Sequence, residues 1–211
     1  MKKIVLLVFL LNTGIVLSQI QQYFFVDDIN TVEHVWLKIC IGSKGETLSV
    51  SNIPEKTTYK NEKVIQEIID YRKQFDFYPE TRHKNKCFDY MFQVVNKKYE
   101  SLNLAKQKCQ PQLKTGKFRY LDPNLKNTKI VRLSDVQIET SKDTKMAFSV
   151  EWPSPCNYVL TYLNISNEKS KYLIGQKIDV RILDVFEDGS YFYYSNLSDR
   201  TYHFGLIRKK L

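Results

Sequence analysis

Residues 35–41 have the sequence VWLKICI, in which apolar side chains occupy every second position. The alternation places Val35, Leu37, Ile39 and Ile41 on one face, and Trp36, Lys38 and Cys40 on the other. A half-buried β-strand has this period of two, because successive side chains point to opposite faces of a sheet. The stretch therefore predicts a strand with an apolar face that needs a cover and a cysteine on its other face.

The sequence on the C-terminal side of this strand predicts the rest of a small α+β unit. Residues 42–45 form a turn, and residues 46–51 alternate again, so the two runs are predicted to make a hairpin. Asn61 is a favourable N-cap for an amphipathic helix whose apolar positions extend to Phe75, and Pro79 prevents any continuation. A further alternating run begins near Cys87. We expect a three-stranded antiparallel sheet covered by one helix.

The positions of the cysteines predict two disulfides. Cys40 and Cys87 both lie opposite the main apolar set of their strands, so a helix on the apolar face leaves both sulfur atoms on the open face. We therefore pair Cys40 with Cys87, which requires their strands to be antiparallel neighbours. Cys109 and Cys156 remain, and their bridge would attach a connector to the second half of the chain. The four cysteines form no C-x-x-C pair, and none has a metal-ligand spacing to histidine.

The second half of the chain changes character from residue 116 onward. Its clearest alternations are at residues 136–139, 146–152 and 202–206, and Asp188 and Gly189 form a hairpin turn. We count seven or eight short strands. This pattern predicts an all-β antiparallel unit, either a small barrel or a sandwich.

The N-terminus predicts export. Lys2 and Lys3 precede an apolar run that ends near Val16, with Ser18 before a cleavage point, so residues 1–18 are predicted to be a signal peptide. An uncleaved anchor helix is disfavoured because the run is shorter than the ~20 residues that span a bilayer. We divide the remainder into an α+β domain at 19–98, a connector at 99–112 and a β domain at 113–211. The protein is expected in the periplasm or outside the cell, without a stable membrane span.

Charge and composition limit the classes of partner. The chain has a formal net charge of +9 and is 43% hydrophobic, which favours packed cores over disorder. Its lysines are interspersed with acidic residues along the chain, so the excess charge is a solvated basic surface. We do not expect nucleic-acid binding.

The first domain resembles the C-terminal domain of TonB-type energy transducers over residues 30–98. The resemblance is in the order of parts: a hairpin with Lys44 and Gly45 at its turn, an amphipathic helix, an aromatic-x-aromatic-x-Pro element at residues 75–79, and a final strand that ends near Asn96. The resemblance implies binding of an extended protein segment at a sheet edge. Force transmission is not implied, because the chain has only six prolines and almost no spacer.

The second domain resembles small exported bacterial proteins that share a pattern without an established activity. The pattern is found here at Cys109, Gly116, Phe118, Arg132, Gln137, Glu139, Trp152, Cys156, Tyr158 and Leu160. A weaker likeness is to lipocalins, with Gly116 and Phe118 on the first strand and Arg208 on the last. That likeness implies a carrier of a small apolar ligand.

The candidate binding residues come from this second domain. Gln137 and Glu139 share a strand face with Arg132 or its neighbour, and Trp152 is the aromatic residue of the pattern. Tyr191 and Tyr193 share one face of an aromatic strand that either fills the core or lines a cavity. His34, His83 and His203 fall in different elements, so structural or surface roles are expected. We predict a non-enzymatic protein without cofactor or metal that binds a protein or envelope component.

Overall fold

The computed structural model describes residues 22–102, 109, 111–123, 125–197 and 202–210. The predicted signal peptide lies outside the described residues. Within the described ranges, no helix combines the length and apolar character that crossing a membrane requires.

The first unit is a four-stranded sheet with one helix, α1 (Glu62–Lys73). Its strands are β1 (Tyr23–Val26), β2 (Val32–Ile41), β3 (Thr47–Asn52) and β4 (Lys86–Asn96), in the spatial order β1-β4-β2-β3. The antiparallel β2–β3 hairpin and the antiparallel β2–β4 pair are as predicted. The predicted number of three strands is wrong, because β1 adds a fourth that runs parallel to β4.

The additional strand, β1, has no alternation of apolar and polar residues that would predict it. Phe24 packs against Tyr71 and Phe92 on one side, while Tyr23 and Phe25 pack against Phe204 of the second unit on the other. A strand that contacts apolar groups on both faces is apolar at every position, so its sequence shows no period of two.

Helix α1 covers the apolar face of the sheet. The side chain of Asn61 accepts a hydrogen bond from the Val64 N–H (3.4 Å), which confirms the predicted N-cap. Ile65, Ile68 and Ile69 pack against the apolar set of β2 in one cluster. The helix ends at Lys73, before Phe75. The Phe75 carbonyl accepts hydrogen bonds from Arg72 Nη1 (2.5 Å) and Thr47 Oγ1 (2.7 Å).

The second unit is a closed antiparallel barrel of eight strands among the described residues, which confirms the barrel alternative. Each strand pairs with the next along the chain, and the last pairs with the first. The strands are β5 (Gly116–Tyr120), β6 (Lys129–Arg132), β7 (Val136–Thr140), β8 (Lys145–Ser154), β9 (Asn157–Ile165), β10 (Lys177–Val185), β11 (Ser190–Leu197) and β12 (Tyr202–Lys209).

A third hydrophobic cluster joins the two units. Val95 of β4 and Tyr99, at the end of the short 3-10 helix that follows β4, pack against Leu183, Phe192 and Phe204 on the outside of the barrel. The Tyr99 hydroxyl also donates a hydrogen bond to Asp184 (3.2 Å). Each unit also has a hydrophobic cluster of its own. The shared cluster shows that the face of the sheet opposite α1 is partly covered by the barrel.

Candidate binding sites

Both predicted disulfides are present. Cys40 lies directly opposite Cys87 in the β2–β4 register, and the two are bonded. Cys109 is bonded to Cys156, so the segment before β5 is attached to the turn between β8 and β9. Each bridge closes the same sequence separation of 47 residues. Disulfides are typical of proteins exported to an oxidising compartment.

The barrel interior contains a buried polar network centred on Arg132. Arg132 and Gln137 are opposite each other in the β6–β7 register, and the Arg132 Nε–H donates to Gln137 Oε1 (2.6 Å). Arg132 Nη2 donates to the hydroxyl oxygens of Tyr158 (3.1 Å) and Tyr191 (3.2 Å), and Nη1 donates to the Leu113 carbonyl (3.1 Å). The fully buried guanidinium is therefore bound by side chains from three strands, β7, β9 and β11, and by the backbone of the segment that enters β5.

Glu139 extends this network toward the other end of the barrel. Its Oε1 atom accepts hydrogen bonds from Gln137 Nε2 (2.6 Å) and from the Tyr120 hydroxyl (2.8 Å). Burial raises the pKa of Glu139, while these two hydrogen bonds act in the opposite direction. Burial alone would lower the pKa of Arg132, but the hydroxyl groups of Tyr158 and Tyr191 hold it above its ordinary value. Gln137 thus links a buried guanidinium to a buried carboxyl group.

The remaining candidate residues surround this network. The Trp152 ring packs against Tyr158 with 4.7 Å between centroids, and the Arg132 guanidinium lies 5.7 Å from the Trp152 ring. Tyr193 lies opposite Gly205 in the β11–β12 register, where an added Cβ would lie 2.7 Å from the Tyr193 hydroxyl oxygen. Only glycine accommodates this ring without a shift. All six candidate side chains therefore lie in the barrel interior or at its edge. Arg132, Gln137, Glu139 and Tyr191 belong to one hydrogen-bonded network.

The aromatic side chains of β11 pack in two different hydrophobic clusters. Tyr191 and Tyr193 are part of the barrel core, whereas Phe192 and Tyr194 belong to the cluster that joins the units. The outward-facing rings thus lie at an interface within this chain. Phe192 stacks on Phe204 with 6.0 Å between ring centroids.

The structure brings together two histidines that the sequence had separated. His34 Nε2 lies 3.6 Å from Asp122 Oδ2, and His203 is close enough for its pKa to be influenced by both. Burial lowers the pKa of His34 and lowers that of His203 to about 4, while Asp122 acts to raise both. Neither Nε2 atom has a hydrogen-bond partner within the described ranges. These shifts favour the neutral form of both imidazoles.

This histidine cluster lies at a cleft between the units. The cleft has a volume of about 210 Å³ and is lined by Val32, Glu33, His34, Thr58, Leu121, Asp122, Pro123, Phe204, Gly205 and Leu206. No spacing rule could have found the cluster, because positions 34, 122 and 203 meet only when the sheet docks on the barrel. Among the described residues, no three His, Cys, Asp or Glu side chains are arranged to hold a metal ion.

The outer edge of β3 is the second candidate site. Among the described strands, β3 pairs only with β2. Ile53 N–H donates to the Trp36 carbonyl (2.7 Å), so by alternation the backbone groups of Ser51 point toward β2 and those of Val50 and Asn52 point away from it. The register shifts at Leu48, which makes this residue the extra one of a β-bulge and leaves its side chain 64% exposed.

The start of the β3 edge is covered by the chain itself. The Thr47 N–H donates to Asp76 Oδ1 (2.8 Å), and the Phe77 N–H donates to the Gly45 carbonyl (2.8 Å). The aromatic-x-aromatic-x-Pro element therefore lies beside the hairpin turn and the first residue of β3. Residues 48–52 remain as the open part of the edge.

Comparison of the chain with protein-family models, curated proteins and solved structures gives no match.

Proposed function

We propose that this chain is an exported, non-enzymatic binding protein of the bacterial cell envelope, periplasmic or secreted, that pairs an extended segment of a partner protein with the edge of β3. The observation that carries the proposal is the open edge at residues 48–52, which has outward backbone groups at Val50 and Asn52 and the exposed side chain of Leu48. Main-chain hydrogen bonds supply affinity in such strand addition, and neighbouring side chains supply specificity.

The two edges of the sheet differ in accessibility. At the β1 edge, the Tyr23 ring contacts Phe204 and Tyr202 of the barrel, with centroid distances of 5.3 Å and 6.3 Å. A partner strand at β1 would have to displace these rings. At the β3 edge, Asp76 and Phe77 are the only described residues that cover the strand, and they cover only its start. This edge is therefore the better acceptor of a partner strand.

The partner is an extended segment with an apolar residue placed to contact Leu48. Ser49 and Ser51 are exposed on the other face of β3, which keeps the free edge polar and short. Natural proteins limit unwanted pairing with short edges and bulges of this kind. The bulge at Leu48 therefore restricts pairing to a partner that accommodates it.

The alternative function, a lipocalin-like carrier of a small apolar ligand, stays a prediction. The closed barrel is the architecture that it requires. However, large side chains fill the described interior positions, and the network of Arg132 and Glu139 makes part of that interior charged. Eight strands enclose a space that side chains alone can fill. The β3 edge therefore has the stronger support.

The experiment first identifies the partner segment and then tests how it binds. A photo-crosslinking amino acid at position 48, expressed in the native host, should capture a protein whose crosslinked peptide is mapped by mass spectrometry. The same probe at Leu133, which is 55% exposed on the barrel, is the matched control. A synthetic peptide of the crosslinked segment is then added to the purified protein, and amide hydrogen exchange is measured residue by residue.

Strand addition has a specific signature in this experiment. The outward N–H groups of Val50 and Asn52 should exchange much more slowly with the peptide bound, because they become hydrogen-bonded, whereas the already bonded amide of Ser51 should change little. The variant Leu48→Lys should weaken peptide binding, and Leu133→Lys should not. Equal crosslinking from both positions, or binding without protection of Val50 and Asn52, would contradict the proposal.

A further inference from the structure

Exposed large apolar side chains are concentrated at the end of β9 and in its connection to β10. Leu163, Tyr172 and Ile174 are 52%, 74% and 45% exposed, and Tyr172 is the most exposed large apolar side chain in the described part of the chain. We call residues 163–177 the β9–β10 lobe. Exposed apolar residues that cluster in one segment are typical of an interaction surface, whereas scattered single ones are not.

Internal hydrogen bonds hold the lobe in one conformation. At its base, the Tyr162 N–H donates to the Gln176 carbonyl (3.1 Å) and the Gly175 N–H donates to the Tyr162 carbonyl (2.9 Å). Asn167 caps a short 3-10 helix at Glu168–Leu173 by accepting from the Lys169 N–H (3.0 Å). The exposed side chains are thus presented by an ordered scaffold.

Lysines outnumber acidic residues in the lobe and next to it. The lobe contains Lys169, Lys171 and Lys177 against a single acidic residue, Glu168, which forms an ion pair with Lys171 (2.6 Å). The turn between β7 and β8 adds Lys142 against Asp143, and Lys145 is the first residue of β8. That turn is adjacent, because the Ser166 N–H donates to the Lys145 carbonyl (2.9 Å).

We propose that the β9–β10 lobe docks on a lipid surface that carries anionic head groups. An aromatic ring with a polar tip and an aliphatic side chain enter the boundary between head groups and acyl chains. Lysines around them attract anionic lipids and place their ammonium groups in the head-group layer. The excess of lysine over acidic side chains in the lobe and its neighbouring turn is the complement that such a surface requires.

The cluster that joins the two units takes Leu183, Phe192 and Phe204 from the barrel and contains no residue of the lobe. Docking of the lobe on a lipid surface therefore does not require the two units to separate. The proposal does not depend on strand addition at β3, which belongs to a different unit.

Vesicle flotation of the disulfide-bonded protein tests the proposal. The probes are vesicles of phosphatidylcholine alone and vesicles that also contain phosphatidylglycerol. Wild-type protein should float with the anionic vesicles, less so as salt increases, and only weakly with phosphatidylcholine. The double variant Tyr172→Ser/Ile174→Ser should lose at least about tenfold in partitioning, because the side chains that enter the lipid are removed. These residues are exposed, so the variant should fold normally.

Two further variants make the result specific. Leu133→Ser removes a similarly exposed apolar side chain from the turn between β6 and β7, at the opposite end of β7 from the lysine-bearing turn, and should float like the wild type. Lys169→Gln/Lys171→Gln should reduce flotation with anionic vesicles only. Absence of wild-type flotation, equal flotation with both lipid compositions, or an equal loss in Leu133→Ser would overturn the proposal.

Discussion

The side-chain amide of Gln93 forms two hydrogen bonds with the backbone of Phe204. Gln93 Nε2 donates to the Phe204 carbonyl (2.6 Å), and the Phe204 N–H donates to Gln93 Oε1 (2.8 Å). The pairing of β5 with β12 extends only from Ile207 to Lys209, so the Phe204 backbone faces away from β11 without a neighbouring strand. Gln93 therefore takes the place of a strand at the barrel seam and ties the sheet to the barrel.

Replacement of Gln93 by leucine should destabilise the whole protein. The variant leaves the Phe204 N–H and carbonyl groups buried without partners, and each such group costs about 1–3 kcal/mol. We expect the free energy of unfolding to fall by about 2–5 kcal/mol, measured by urea denaturation. Gln66→Leu, on the exposed face of α1, is the control and should change stability by less than about 0.5 kcal/mol. A Gln93 variant as stable as the control would show that the tie is not needed.

Local features of this fold were predictable, and features created by docking were not. The alternation of residues 35–41 identified the side of the strand on which Cys40 lies, and from that the bond to Cys87 followed. The polar alternation of Gln137 and Glu139 placed both on one face of β7. In contrast, β1 carries no alternation because it is apolar on both sides, and the meeting of His34 with Asp122 depends on a contact between units.

The hydrogen-bonded network around Arg132 was likewise predictable only in part from the sequence. Sequence pattern selected Arg132, Gln137 and Glu139, but it did not indicate that these side chains bond to one another inside the barrel. Their period of two is the same whether a polar face points to solvent or into a barrel interior, so only closure of the barrel distinguishes the two. Tyr120 and Tyr158 complete the network, but neither was among the candidate binding residues.

Loss of the Arg132 guanidinium should destabilise the barrel strongly. Arg132→Met leaves Glu139 as a buried carboxyl group without its cationic neighbour and removes the donors to Tyr158 and Tyr191. Removal of one partner from a buried charged set costs about 3–5 kcal/mol. In the double variant Arg132→Met/Glu139→Gln the uncompensated charge is absent, so part of the loss should be recovered. Urea denaturation of both variants measures the difference.

The control for this double-mutant comparison is Arg119→Met, on the exposed side of β5. It should cost less than about 0.5 kcal/mol. If Arg132→Met costs no more than this control, or if Glu139→Gln recovers nothing in the double variant, the two groups are not energetically coupled.

Acidification should destabilise the protein through its buried histidines. The pKa of His203 is lowered to about 4 in the folded protein, mainly by burial, and His34 is shifted in the same direction. The unfolded chain therefore takes up protons below pH ~6.5 while the folded protein does not, so stability is lost as the pH falls from about 6.5 to 4. His203 alone should contribute about 3 kcal/mol to this loss.

His203→Gln should flatten the dependence of unfolding free energy on pH in this window. His83→Gln, which removes a ring that stacks on Phe88 outside the cluster, is the control and should leave most of the slope in place. The measurement is urea denaturation at a series of pH values. The same slope in wild type and His203→Gln would mean that the folded protein accepts a proton at this site as readily as the unfolded chain.

The two disulfides should contribute similar stability, because each closes a loop of 47 residues. The chain-entropy model gives about 4 kcal/mol for a loop of this length. Cys40→Ser/Cys87→Ser and Cys109→Ser/Cys156→Ser are therefore matched variants, and each should lower the free energy of unfolding by about 4 kcal/mol in urea. Non-reducing peptide mapping of the wild type checks the pairing first. A much smaller loss for the Cys40–Cys87 pair would show that the β2–β4 contact already restricts the unfolded chain.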